Sequence, residues 1–350
     1  MDFVARRGIS DATGMKIDGA LLPIDIARTG ADARALEAQG FDGLLAFEGA
    51  HDPFVALAVA AEHTSRVELS TAIAIAFARN PMTCAYLAND LQLLSHGRFV
   101  LGLGTQIRAH VERRFGQPWS RPNARMREFV RAVRAIWRAW ETGERLDVRG
   151  EFYTHTLMPP LFSPGANPHG WPRITLAGFG PAMIGVAGEV ADGWIVHPLN
   201  SPDYVRAIGL PALERGLARG GRTRAQVEIA CQTIVMMGTT DAQLAVARAN
   251  AKAQIAFYGS TPTYRVFLEH HGWGDLHPEL HRRSKAGEWT EMMALIGDDV
   301  LDAVGVCGTP AEVGRRLRAR NAWADRTSLV LYNETEPDAV VDLIRAFRAG

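Results

Sequence analysis

Three scarcities frame this 350-residue sequence. There are 3 cysteines, Cys84, Cys231 and Cys307, far apart and odd in number. No CxxC pair is present, so neither a disulfide framework nor a zinc site is expected, and a reducing compartment fits. Lysine occurs only at Lys16, Lys252 and Lys285, so the positive charge is almost all arginine. Lys+Arg and Asp+Glu are both 38. That balance argues against bulk attraction to nucleic acid or an anionic membrane. No uninterrupted apolar run approaches a membrane span, and the first residues, MDFVARRGISDATGMKIDG, carry no apolar core of a signal peptide. The expectation is a soluble, cytoplasmic protein.

What is abundant is alternation. Strand-like segments are read at 16–22, 42–47, 67–75, 99–103, 174–176, 193–197, 227–236 and 328–332. Helix-like segments follow most of them, at 26–39, 53–63, 81–94, 121–140, 181–190, 202–218, 241–257 and 336–347. Short loops between alternating elements imply parallel strands with right-handed crossovers. Eight such units predict an α/β fold, a closed (β/α)8 barrel of TIM type, as one domain over residues 1–350. Phe129, Val133, Ile136 and Trp137 form one helical stripe and read, with Trp140, as core packing.

Two stretches break the rhythm. Residues 144–172 are rich in proline and read as a short hairpin followed by an irregular loop. Residues 259–298 are polar and aromatic and read as a helical insertion. In a barrel such an insertion lies at the C-terminal mouth and can cover the active site.

Three segments suggest chemistry. Ala177-Gly178-Phe179-Gly180-Pro181 follows a strand and opens a helix. Glycines admit a phosphate to backbone N–H groups, proline suits the first helical turn, and the helix dipole favours an anion. Phe179 can lie against a flat ring. A plain strand-to-helix turn has the same composition. Gly102-Leu103-Gly104-Thr105-Gln106 ends an apolar strand, where Gly104 lets a planar ligand approach. The third is Ser70–Pro81, an apolar strand running into Arg79-Asn80-Pro81.

Taken together these pieces resemble the luciferase-like flavin- and deazaflavin-dependent oxidoreductases. Gly40-Phe41-Asp42-Gly43, Ser70–Pro81, Leu94–Thr105, Ala177–Pro181 and Ala191-Asp192-Gly193 occur in that family's order. Ala50-His51-Asp52-Pro53-Phe54 and His110–Gly116 are similar to the coenzyme F420-dependent branch. The resemblance implies a cofactor over the C-terminal strand ends. It implies a non-proline cis peptide at or beside Thr71-Ala72, backing the cofactor ring. Ala177, Gly178, Phe179, Gly180 and Pro181 would hold the cofactor phosphate, Gly104 and Thr105 would border the ring, and His110 would contact the cofactor. The implied cofactor is coenzyme F420, with FMN as the alternative.

The sequence departs from the best-known deazaflavin dehydrogenases. Phe47-Glu48-Gly49 stands where they carry Asp-His, and Ile107 where they carry a glutamate. The proton-moving residue is therefore sought among Glu48 and His51 at the end of the second strand. Glu48 can equally pair with a nearby arginine, and His51 can cap the next helix. His197 either faces the pocket or is a satisfied core histidine. Arg79, Arg108, Arg113 and Arg114 can meet an acidic cofactor tail. His270, His271, His277 and His281 lack metal-ligand spacing, and no metal is expected.

The function expected is hydride transfer between F420 and a small, partly apolar substrate, without nucleic acid or membrane partners. The alternatives are an FMN-dependent monooxygenase supplied with reduced flavin by a separate reductase, and a non-catalytic flavin-binding barrel. A homodimer is expected.

Overall fold

The computed structural model describes residues 14–22, 25–333 and 335–350. The first residues on which the signal-peptide reading rests, and Pro23, which in sequence follows the strand-like segment 16–22, lie outside these.

Eight parallel strands close a ring: β1 (Lys16–Ala20), β2 (Gly43–Ala46), β3 (Glu68–Thr71), β4 (Phe99–Gly104), β5 (Arg173–Gly178), β6 (Gly193–Val196), β7 (Glu228–Met237) and β8 (Arg326–Leu331). Each pairs with the next, and β8 returns to β1, where Lys16 lies beside Arg326. A strand covered on one side by helices and on the other by the barrel interior must be apolar on both faces. β4 obeys this at every residue, all six being buried.

The helices begin where local chemistry caps them. Pro53–His63 starts behind Asp52, whose Oδ1 accepts the Phe54 N–H at 2.9 Å. Pro81–Leu94 starts behind Asn80, which accepts the Thr83 N–H at 2.9 Å. Such caps contribute about 1 kcal/mol each. Pro122–Thr142 buries Phe129, Val133, Ile136, Trp137 and Trp140 and stops at Gly143, whose φ is +71°. The segment read as one helix over 202–218 contains a π turn at Val205–Gly209. Pro211 offers no N–H there, and a side chain on Gly209 would meet Trp194 at 2.6 Å.

The run read as a single strand over 67–75 is divided. β3 ends at Thr71, the Ala72–Ile73 peptide is cis, and strand pairing resumes at Ala74–Ile75. Ser70 lies beside Val100 and Ala74 beside Leu103, so four residue steps pass three on β4. The surplus residue is a bulge, which pushes backbone out of the ladder at the mouth.

The 144–172 stretch contains the antiparallel pair Val148–Arg149 and Thr154–His155. The Glu128 carboxylate accepts the N–H groups of Glu151, Phe152 and Tyr153 and anchors its turn. The 259–298 stretch is helical, with Arg265–His270, Leu276–Ala286 and Trp289–Ala294. Its Phe267, Leu280 and Met292 share a second apolar core with Ile234 and Met236 of β7 and Ile255 of the preceding helix. Strand Gly305–Gly308, paired with β7, and helix Pro310–Arg320 follow before β8.

The first residues of the strands form the floor of the barrel. Arg326 binds Asp18 through two hydrogen bonds at 2.7 and 2.9 Å, Glu68 at 2.5 Å and Glu228 at 3.1 Å. Arg173 adds bonds to Glu228 at 3.0 Å and Glu68 at 2.8 Å, and Lys16 lies 3.4 Å from Glu68. Three cations meet three anions, so the charges cancel locally. Pairing of this density offsets a desolvation cost of several kcal/mol per buried ion.

Candidate active site

Because all eight strands run one way, their last residues share one rim. Glu48, His51, Thr71, Ala72, Gly104, Thr105, Ala177, Gly178 and His197 all lie at or just past these ends. His110 follows on the short helix Arg108–Arg113.

Glu48 is bound in place. Its Oε2 accepts the Ile75 N–H at 2.7 Å and Arg79 Nη1 at 2.5 Å, and its backbone N–H donates to Ile73 O at 3.1 Å. Arg79 also reaches Asp52 Oδ2 at 2.6 Å. The structure thus realises the arginine-pairing alternative for Glu48, with both side chains nearly buried. Burial works against the Arg79 charge, but Glu48 and Asp52 outweigh it and raise its pKa. The ion pair fastens the segment after the bulge to the end of β2. Asp52, not His51, caps the helix that follows. His51 makes no hydrogen bond among the described residues and stays partly open.

Thr71 is wholly buried, and its hydroxyl is taken up by Gly102, at 2.7 Å to the carbonyl and 2.8 Å from the N–H. It supports the bulge from behind; the side chain is not offered to the rim. Gly102 has no room for a side chain, since a Cβ would lie 1.8 Å from Thr71 O. At Gly104 a Cβ would press on Ile73 at 2.8 Å. Thr105 Oγ1 donates to Gln106 O at 2.8 Å. His110 Nδ1 is buried with no partner, an orphan that a bound group can satisfy.

The Ala177–Pro181 turn joins strand to helix. Helix Pro181–Val190 follows β5, its N-cap is Gly180, and no side chain caps it. Its first N–H groups therefore stay open, as an anion site requires. A Cβ on Gly180 would meet nothing within 4 Å, so there is room for a ligand. Trp194 Nε1 donates to Gly178 O at 2.9 Å and Tyr204 OH to Phe179 O at 3.3 Å, which turns the loop carbonyls away from the opening.

Phe179 departs from its expected role. Its ring packs on Tyr264 at 4.4 Å, His197 at 5.5 Å and Tyr204 at 5.7 Å, joining the loop to the insertion. The insertion histidines act as ties. His270 Nε2 bonds Asp203 at 2.8 Å, His271 Nε2 bonds Ser201 at 2.8 Å, and His277 and His281 bond the carbonyls of Gly259 and Ser260 at 2.8 and 2.9 Å. Among the described residues no group of three His, Cys, Asp or Glu is placed to hold a metal ion. Arg108 pairs with Glu112, and Arg114 donates to Gly49 O.

A closed ring of eight parallel strands with an uncapped helix start and a bulge at one mouth defines a (β/α)8 barrel. The chain belongs to the luciferase-like monooxygenase family, whose sequence profile matches residues 6–327. An uncharacterized protein of Mycobacterium tuberculosis is 53% identical over 337 residues, covering 96% of this chain and 99% of that protein. The coenzyme F420-dependent tetrahydromethanopterin reductase of Methanopyrus kandleri superposes with a TM-score of 0.77 at 19% identity, over 95% of this chain and 97% of the other. A type II Baeyer-Villiger monooxygenase of Pseudomonas putida, in complex with FMN, superposes with a TM-score of 0.67 at 17% identity, over 96% and 98%. These likenesses bear out the barrel expected from strand alternation.

Proposed function

We propose that the chain is an oxidoreductase that transfers a hydride between coenzyme F420 and a small organic substrate. One observation carries the reading. The uncapped helix start at Gly180-Pro181 and the bulged ledge at Ala72-Ile73 stand on the same rim, with Gly104 paired beside Ile75 just past the bulge. That combination suits a long cofactor with a phosphate at one end and a planar ring at the other. Bound there, a deazaflavin supplies two-electron hydride chemistry, and the protein supplies position and electrostatics.

Each residue then has a role. The N–H groups after Gly180 hold the phosphate. Ala72 and Ile73 back the ring, and Gly104 gives the Ile73 side chain room beside it. Thr105 borders it, and His110 Nδ1 finds its missing partner in it. His51, unbonded on the rim, moves the accompanying proton, and Glu48 acts as a positioning residue through Arg79. The helices of 259–298 exclude water above the site.

FMN-dependent oxygenation is the second reading, favoured by the family's monooxygenase members and the FMN complex among similar folds. A fluorescence titration of the purified protein with oxidised F420, and separately with FMN, separates the two. Micromolar or tighter binding of F420 alone supports hydride transfer. A preference for FMN moves the protein to the oxygen-dependent reading. Binding of neither overturns the site.

A further inference from the structure

The residue that follows β6 gathers several independent observations. Between Gly193 and Ser201 every residue is buried except His197. Its ring stands among those of Phe179, Tyr258 and Tyr264, with centroids at 5.5, 4.6 and 4.6 Å. Its Nδ1 accepts the Leu199 N–H at 3.0 Å. A ring nitrogen that accepts carries no proton, so the proton of the neutral imidazole is on Nε2. Nε2 has no hydrogen-bond partner among the described residues, and it is not one of the sealed, unpaired atoms. It is therefore an unpaired donor that is not fully enclosed.

The surroundings keep the ring neutral. A second proton would sit on Nδ1, directly against the Leu199 N–H. The titratable groups packed on the ring are the phenols of Tyr258 and Tyr264, both themselves pushed up by burial. No charged side chain among the described residues offsets the desolvation of a half-buried ring packed among aromatics, which holds the His197 pKa down to about 3.

We propose that His197 donates its Nε2–H to the oxygen of a carbonyl or carbinol substrate held against the rings of Phe179, Tyr258 and Tyr264. The inference rests on the hydride-transfer reading and adds the substrate class: an uncharged ketone, aldehyde or secondary alcohol with a flat, apolar substituent. A neutral, fixed donor is suited to negative charge that builds on oxygen as a hydride reaches the neighbouring carbon. The contact is a hydrogen bond, and His197 keeps its proton throughout. The aromatic walls explain the preference for an apolar body, since no ionic partner lines them.

The test uses the full-length protein with F420 bound and acetophenone and 1-phenylethanol as probes. In 15N-histidine NMR spectra His197 is expected as the Nε2–H tautomer, unprotonated down to about pH 5. Its Nε2–H resonance should shift when acetophenone is added. His197→Phe, which keeps the ring but removes the donor, should lower kcat/KM on the probes by about 100-fold. His197→Gln, which retains an N–H, should recover part of that loss. Both variants should bind F420 within about twofold of wild type, since one hydrogen bond to the substrate leaves cofactor affinity almost untouched. The proposal is overturned by an Nδ1–H tautomer, by an Nε2–H signal indifferent to the ketone, or by full activity in His197→Phe. Failure of the wild-type protein to bind F420 instead removes the hydride-transfer reading itself, and the proposal with it.

Discussion

Thr71 and Gly102 exchange two hydrogen bonds, hydroxyl to carbonyl at 2.7 Å and amide to hydroxyl at 2.8 Å. One side chain thereby does the work of a missing rung where β3 leaves the ladder. Thr71→Val keeps the shape and strands a buried N–H and C=O. It should cost about 1–3 kcal/mol, against about 1 kcal/mol or less for Thr71→Ser. Denaturant unfolding measures both, and an unchanged midpoint in Thr71→Val would contradict the account.

Two glycines of the rim should respond in opposite ways. Gly102→Ala drives a methyl to within 1.8 Å of the Thr71 carbonyl, so backbone must move and folding should suffer. Gly180→Ala meets no atom within 4 Å and has a φ of −80°, so the fold should be indifferent. Its methyl occupies the space assigned to a phosphate. The expected outcome is an unchanged melting temperature with F420 affinity reduced at least about tenfold, a loss of about 1.4 kcal/mol. Retained affinity would place the phosphate elsewhere.

Glu48→Gln tests the positioning role. The substitution removes the main counter-charge of Arg79 while Asp52 remains, so the stability loss should stay at or below about 3 kcal/mol. His51→Gln, by contrast, should leave stability within about 0.5 kcal/mol and lower turnover. A Glu48→Gln protein as stable and as active as wild type would refute the first half; an active His51→Gln protein would refute the second.

The barrel was legible because each strand carries its own apolar signal and each turn its own breakers. Pro53–His63, Pro81–Leu94 and Pro181–Val190 fall on the residues expected from proline and cap positions. The bulge was not legible as a register shift, because a surplus residue leaves the apolar pattern of 67–75 unchanged. Helix Pro310–Arg320 was overlooked although its signal is present: Thr309 and Glu312 form a capping box around Pro310. The floor charges were invisible for another reason. Asp18 and Arg326 are 308 residues apart, and only ring closure makes them neighbours. Phe179 reads in sequence like a ring waiting for a ligand, because its partners Tyr204 and Tyr264 come from later segments.

Acid should loosen the hold of Glu68 on the floor, while burial shifts Asp18 the other way. Burial pushes the Glu68 carboxyl up, but Arg326, Arg173 and Lys16 outweigh it and hold the pKa at about 2, below the ordinary 4.5. The folded state then binds fewer protons than the unfolded state between those values. Its stabilising effect is complete above about pH 4.5 and is lost as the pH falls to about 2. Glu68→Gln should be less stable than wild type at neutral pH, with the gap closing on acidification. A gap independent of pH in chemical denaturation would refute the assignment.

The Arg326 ion network fills the strand starts, so under the proposed reading cofactor and substrate share the strand-end side of the barrel. Two molecules loading from one side would form a queue, in which the deeper occupant arrives first and departs last.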